Sequence, residues 1–257
     1  MSEPEPRART SPRGGRPRRR EISGVRHTSV VGAGSFGTAL AVLLDRAGLR
    51  VTLHARSGEQ AELLLREHEN KRYLPGVELP PQMAIEPALA GVSKADLVFL
   101  AVPSWALAGV IESLAAGVVS PRAAVVSVAK GLVPPDGLPP TLALQRALGT
   151  ERVASLGGPG HAQEMVHAGA ALVAASNRQE LAQLLAEVLT RAGVVCEVSN
   201  DPVGVELAGA AKNAAALAAG ATESQGANAA GAAAGHIFAE VWRWAEPLGA
   251  HPETLIG

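Results

Sequence analysis

A single cysteine, Cys196, in 257 residues leaves no internal disulfide framework and no cysteine-based zinc cluster. Aromatic residues make up only 3% of the chain, so alanine, leucine and valine must form the core. Long apolar runs are missing too. Charge-free runs such as residues 97–111, which Pro103 breaks, fall short of a membrane span. Lysine is scarce: Lys71, Lys94, Lys130 and Lys212 are the only four among 23 basic residues. Arginine serves almost wherever a positive charge is wanted, so each lysine is a candidate for work arginine does poorly.

Excess charge is also lacking. The net charge of −1 argues against a general nucleic-acid binder, although the charge is unevenly spread. Residues 1–26 hold eight arginines against three glutamates, and the remainder carries 15 basic and 21 acidic residues. That first segment is rich in Pro, Arg, Gly and Ser and almost free of apolar residues, so it reads as a disordered basic tail. The run Arg18-Arg19-Arg20 ahead of an apolar stretch resembles a twin-arginine export signal. That stretch has another use, and no small-residue cleavage site follows it, so a cytoplasmic location is expected.

What the sequence does contain begins after His27. Thr28-Ser29-Val30-Val31 reads as a strand, Gly32-Ala33-Gly34-Ser35-Phe36-Gly37 as a glycine turn, and residues 38–47 as a helix ended by Gly48. Gly32 permits the tight turn, Gly34 lets the backbone approach a pyrophosphate, and Gly37 lets the helix lie close to the strand. The phosphates would sit on the helix N-terminus, where unpaired N–H groups favour an anion. A second apolar strand at 51–55 supplies the context that a bare glycine pattern lacks. An acidic residue at its end would bind the ribose hydroxyl of NAD. This chain has His54-Ala55-Arg56-Ser57, and Arg56 can pair with a 2′-phosphate, so NADP is favoured or at least accepted beside NAD.

Further apolar runs at 97–102, 123–128, 153–156, 172–175 and 194–198 are separated by helix-length segments such as 179–192. They predict an α/β, Rossmann-like, doubly wound and mainly parallel sheet over residues 27–200. Ligands gather at the carboxyl ends of such strands. Those ends carry Val102-Pro103-Ser104, Lys130-Gly131 and Gly157-Gly158-Pro159-Gly160, which can face one crevice. From residue 201 onward an all-α segment is expected, because 15 of the 27 residues from 208 to 234 are alanine. Lys212 sits among them. It is either partly desolvated, which suits proton transfer, or snorkelling to the helix surface.

Several strings together resemble the bacterial-type NAD(P)-dependent glycerol-3-phosphate dehydrogenases. They are Gly32-Ala33-Gly34-Ser35-Phe36-Gly37-Thr38-Ala39, Glu69-Asn70-Lys71-Arg72-Tyr73-Leu74-Pro75-Gly76, Val102-Pro103-Ser104, Lys130-Gly131, Gly158-Pro159 and Gly204-Val205-Glu206-Leu207-Ala208-Gly209-Ala210-Ala211-Lys212-Asn213. The resemblance covers about residues 27–257. It implies reversible hydride transfer between NAD(P)H and dihydroxyacetone phosphate, giving sn-glycerol 3-phosphate for phospholipid synthesis. It also implies that Ser35, Phe36, Arg56 and Ala162 touch the cofactor, and that Lys130 lies between cofactor and substrate. Gly158 and Gly160 would line the substrate site. Lys212 would move the proton, with Asn213 beside it; Lys71 and Lys94 remain ordinary surface lysines. No metal is implied, and a homodimer is possible.

The departures are equally specific. Gly160 stands where the family usually has Ser or Thr, and His236 where it often has Arg. The segment 226–232 lacks the family's acidic and basic residues. Gly-Asp-Leu and Ser/Thr-Arg-Asn strings, which in the family follow the point reached at Gly257, are not in this sequence, so an incomplete helical domain and weak turnover are expected. The alternatives are another β-hydroxyacid or ketopantoate-type reductase, or a non-catalytic NAD(P)-binding protein.

Overall fold

A computed structural model describes residues 23–256. The elements run β1 (His27–Val31), α1 (Ser35–Arg46), β2 (Arg50–Ala55), α2 (Gly58–Glu67), β3 (Glu69–Asn70), β4 (Leu74–Glu78), β5 (Ala84–Pro87), β6 (Leu97–Leu100) and α3 (Ser104–Ser113). They continue with β7 (Ala124–Ser127), α4 (Pro140–Leu148), β8 (Val153–Gly157), α5 (Ala162–His167), β9 (Ala171–Ala175), α6 (Gln179–Arg191) and β10 (Val195–Ser199). Three helices close the order: α7 (Pro202–Thr222), α8 (Ala227–Ala245) and α9 (Pro252–Ile256).

Eight strands form one sheet in the order β10-β9-β8-β7-β6-β1-β2-β5. Strand alternation gives it two buried faces. Val30 of β1, Leu97 and Phe99 of β6, and Ala124 and Val126 of β7 join one core cluster with α1, α5 and α6. Their neighbours Val31, Val98, Leu100 and Val125 join another with Leu107 and Ile111 of α3 and Leu144 of α4. The chain adds β2 on one side of β1 and later β6 on the other, so the strand order reverses beside β1, where doubly wound sheets open a ligand crevice.

The sheet is mainly parallel, as expected, with one reversal: β9 pairs with β8 antiparallel, and β10 runs parallel to β9. Two expectations need correction. The run at 194–198 reads as a buried strand; instead, among the described residues, β10 is an edge of the sheet, with Val195 68% exposed. The basic tail expected over 1–26 does not reach residue 26. Val25 is buried in the core, and the backbone N–H groups of Arg26 and His27 both donate to the Asp96 carboxylate. The arginine run itself lies outside the described residues.

The α7 helix starts against the sheet. Asp201 caps it by accepting from the Gly204 N–H at 2.7 Å, and its other oxygen accepts from the His251 N–H at 2.7 Å. Residues 202–207 are all buried, whereas α8 buries only Ala245. No helix of the described residues is long and apolar enough to cross a membrane.

Candidate functional site

The β1–α1 turn is built to approach a ligand closely. Gly32 has φ +114°, and a Cβ there would stand 2.5 Å from the Ala101 carbonyl oxygen and 3.2 Å from Val102 Cγ1, so the turn lies directly on the end of β6. A Cβ at Gly37 would collide with the Gly32 carbonyl oxygen and stand 2.9 Å from Ala101 Cβ. Gly34 differs: nothing lies within 4 Å of where its Cβ would be. As N-cap it lends no side chain to α1, and the first turn carries no acidic residue. Open space at an uncapped, uncompensated helix N-terminus fits a pyrophosphate.

The string at 69–76 holds this turn from behind. Buried Asn70 donates through Nδ2 to the Ala33 carbonyl oxygen at 3.0 Å and to Thr38 Oγ1 at 2.7 Å. Ser35 Oγ donates to the Tyr73 carbonyl oxygen at 2.6 Å. With its hydroxyl proton committed there, the donor Ser35 offers an anion is its backbone N–H. At the end of β2 the Gly32 N–H donates to the His54 carbonyl oxygen at 3.0 Å, and the Arg56 N–H donates to Gln60 Oε1. The Arg56 side chain is exposed, with no carboxylate pairing it among the described residues.

His54 itself is 1% exposed, with Nε2 3.1 Å from Ser29 Oγ. Burial lowers its pKa from 6.5 to about 4, so it is neutral at neutral pH. The unfolded chain takes up this proton near pH 6.5. The folded chain resists until about pH 4, so the contribution of this histidine is fully present above pH 6.5 and is lost as the pH drops toward 4. The loss should reach roughly 3 kcal/mol. Urea unfolding at pH 7 and pH 4.5 checks this, and an unchanged midpoint difference in H54Q would assign the effect elsewhere.

The other strand ends converge on the same rim. A Cβ on Gly131 would stand 3.0 Å from Ser104 Oγ, which places the Lys130-Gly131 turn at the start of α3. A Cβ on Gly160 would stand 3.0 Å from the Phe36 ring and from Met165 Sδ, which joins the β8–α5 turn to the glycine turn. Gly160 and Gly158 point their missing side chains at Phe36, Met165 and Leu172, and at the β9 backbone, so only their backbone can line a substrate site. Ala162 is buried in the core, leaving backbone contact alone there as well.

Helix α7 closes the rim. A Cβ on Gly157 would stand 2.5 Å from Val205 Cγ1, which fixes the helix against the end of β8. Lys212 is seven residues further on, two turns along the same face and roughly 10 Å from Val205. Lys212 and Asn213 are exposed on α7, so of the two readings of the lysine the surface one holds: the small side chains around it leave it open to solvent. Lys130 is exposed too, and neither lysine meets a carboxylate among the described residues, whereas Lys71 pairs with Glu67 at 3.2 Å. Among those residues no group of three or more His, Cys, Asp or Glu is placed to hold a metal ion.

Sequence reasoning passed over two buried residues that organise the site, Asn70 and Glu206. Both lie inside quoted strings, but the partners that make them important are 32 to 65 positions away.

The chain matches two family models. One, described as the NAD-dependent glycerol-3-phosphate dehydrogenase N-terminus, covers residues 27–182; the other, described as its C-terminus, covers 201–257. Glycerol-3-phosphate dehydrogenase [NAD(P)+] of Chlorobium limicola is 40% identical over 238 residues, with 90% of this chain and 71% of that protein covered. The Deinococcus radiodurans protein of the same name is 41% identical over 233 residues, with 89% and 69% covered. A crystal structure of glycerol-3-phosphate dehydrogenase from Coxiella burnetii superimposes with a TM-score of 0.80 at 29% identity, over 91% of this chain and 72% of that one.

Proposed function

The chain belongs to the NAD-dependent glycerol-3-phosphate dehydrogenase family, and on that premise we propose how its crevice works. Its reaction is the NAD(P)-dependent interconversion of dihydroxyacetone phosphate and sn-glycerol 3-phosphate. The observation that carries the proposal is the meeting of an uncapped glycine turn, the Lys130-Gly131 turn and the Val205 end of α7, the helix that bears Lys212, along one rim of the sheet. Two family models spanning both the sheet and the helices favour this reading over a ketopantoate-type reductase or a non-catalytic nucleotide binder.

In this proposal residues 27–200 hold the cofactor and the helices from 201 bring the proton carrier. The backbone of Gly32, Gly34, Ser35, Phe36 and Gly37 would hold the pyrophosphate, with Ala162 contributing backbone and Arg56 meeting a 2′-phosphate. A bound nicotinamide supplies the hydride in reduction and accepts it in oxidation. Lys130 balances the charge between cofactor and substrate phosphate, and the backbone of Gly158 and Gly160 lines the substrate. As negative charge grows on the ketone oxygen, Lys212 Nζ gives it a proton, and in the reverse direction takes one from the hydroxyl. Asn213 orients the same oxygen. A cytoplasmic homodimer completes the proposal; exposed Leu217 and Trp244 on the α7–α8 pair offer apolar surface for a second copy to cover.

The test is oxidation of NADPH and of NADH by the purified chain with and without dihydroxyacetone phosphate. Substrate-dependent oxidation supports the proposal, while turnover of ketopantoate instead would replace it. Arg56 is separately testable. R56A should raise the Kd of NADPH by about tenfold or more, since a charged hydrogen-bonded pair is lost, and leave NADH within about twofold. Equal losses for both cofactors in a fluorescence titration would exclude Arg56 as the 2′-phosphate contact.

A further inference from the structure

Glu206 stands six residues before exposed Lys212 on α7, yet it is only 4% exposed. Its carboxyl reaches 65 positions back to the start of α4. The Thr141 N–H donates to Oε1 at 3.0 Å and to Oε2 at 3.2 Å, and Thr141 Oγ1 donates to Oε2 at 2.8 Å. The Ser155 hydroxyl on β8 faces the same carboxyl.

Helix α4 needs such a partner, because its N-cap is Pro139, its first residue is Pro140, and no side chain of its own caps it. Glu206 thus serves as the cap of a different helix. Among the described residues, every hydrogen bond between α4 and α7 ends on this carboxyl.

The flanking residues make the joint directional. Val205 fills the space beside Gly157 at the end of β8. Leu207 packs in a cluster that Leu132 and Leu142 also line. Leu132 is two residues from Lys130, and Lys212 is six residues beyond Glu206. Val205 therefore fixes α7 to β8, while Glu206 and Leu207 grip the stretch that follows Lys130, and the same helix carries Lys212.

We propose that Glu206 is the positioning residue of this site: by tying α7 to the N-terminus of α4 it holds Lys212 in register with Lys130 across the crevice. The claim rests on Lys212 being the proton carrier. Only neutral donors face the carboxyl, and burial pushes its pKa up to about 8, so glutamine is the conservative replacement and alanine the disruptive one.

The experiment compares the full chain with E206Q, E206A and T141V. E206A should lower kcat for dihydroxyacetone phosphate by at least about tenfold, because a small misplacement of a catalytic group is costly, with the Kd of NADPH within about twofold. E206Q should stay within about threefold of the parent kcat, and T141V, which removes the hydroxyl donor alone, should lose about fivefold. An E206A chain with a lower Tm but an unchanged kcat overturns the proposal, since the carboxyl would then serve folding only. So does an E206Q chain as impaired as E206A. If E206A does not fold, T141V decides: an unchanged kcat there overturns the claim.

If the parent chain does not turn over dihydroxyacetone phosphate, the proposed function fails, and amide exchange without substrate decides the positioning claim separately. E206A, or T141V in its place, should speed exchange by about tenfold in peptides spanning 128–148 and 202–222 together, with 27–55 unchanged. Faster exchange in only one of those segments, or across the whole sheet, overturns it.

Discussion

Replacing Lys212 by alanine is expected to slow dihydroxyacetone-phosphate-dependent oxidation of NADPH by roughly 10²- to 10⁴-fold, the usual worth of a positioned general acid. The effect should fall on kcat, with cofactor affinity unchanged, because the glycine turn and Arg56 lie on other elements. Stability should hardly move. Lys212 is exposed on a helix, and alanine is the better helix former, so a change within about 0.5 kcal/mol is expected. K212R separates charge from proton transfer: arginine keeps the charge but cannot release the proton, and should remain near the alanine rate. A K212A enzyme within threefold of the parent rate would remove Lys212 from the chemistry.

Gly37→Ala should give the largest effect on folding. The added methyl collides with the Gly32 carbonyl oxygen and stands 2.9 Å from Ala101 Cβ. One obstacle is backbone of the glycine turn, and the other belongs to the end of β6, so neither can swing away. Helix α1 must lift off the sheet, at the upper end of the 1–3 kcal/mol typical of overpacking. For a chain of this size that is a Tm lower by roughly 10 °C, with NADPH binding weakened at least about tenfold because the turn moves too. Gly34→Ala is the matched control. Its added methyl meets nothing within 4 Å, so the Tm should stay within about 2 °C while cofactor binding weakens. Thermal unfolding and cofactor titration of the two variants test the contrast. A G34A chain that binds NADPH as tightly as the parent would mean that no phosphate approaches Gly34.

These contrasts show where the sequence was readable. Strand runs and the glycine turn are local signals, so β1, β2 and β6 to β9 fall within a residue or two of their expected positions. The hairpin of β3 and β4 and the edge strand β5 are short and carry little periodicity, and they were not foreseen. The reversed direction of β9 was also hidden. Apolar runs report burial, and burial is the same whichever way a strand points.

The sequence by itself determined the layered fold, the placement of the glycine turn between strand and helix, and the identity of the few lysines worth testing. The first two follow from periodicity and glycine spacing over short windows; scarcity marked four lysines, and the family resemblance picked out Lys130 and Lys212. Tertiary structure alone decided the rest. It set Phe36 against Gly160, Ser104 against Gly131 and Val205 against Gly157, and it set the Glu206 carboxyl on the N-terminus of α4. It also decided between the two readings of Lys212, leaving it exposed on the helix surface. Exposure and close approach depend on which elements pack together. Partners tens of residues apart are brought together by the sheet order, which no local pattern encodes.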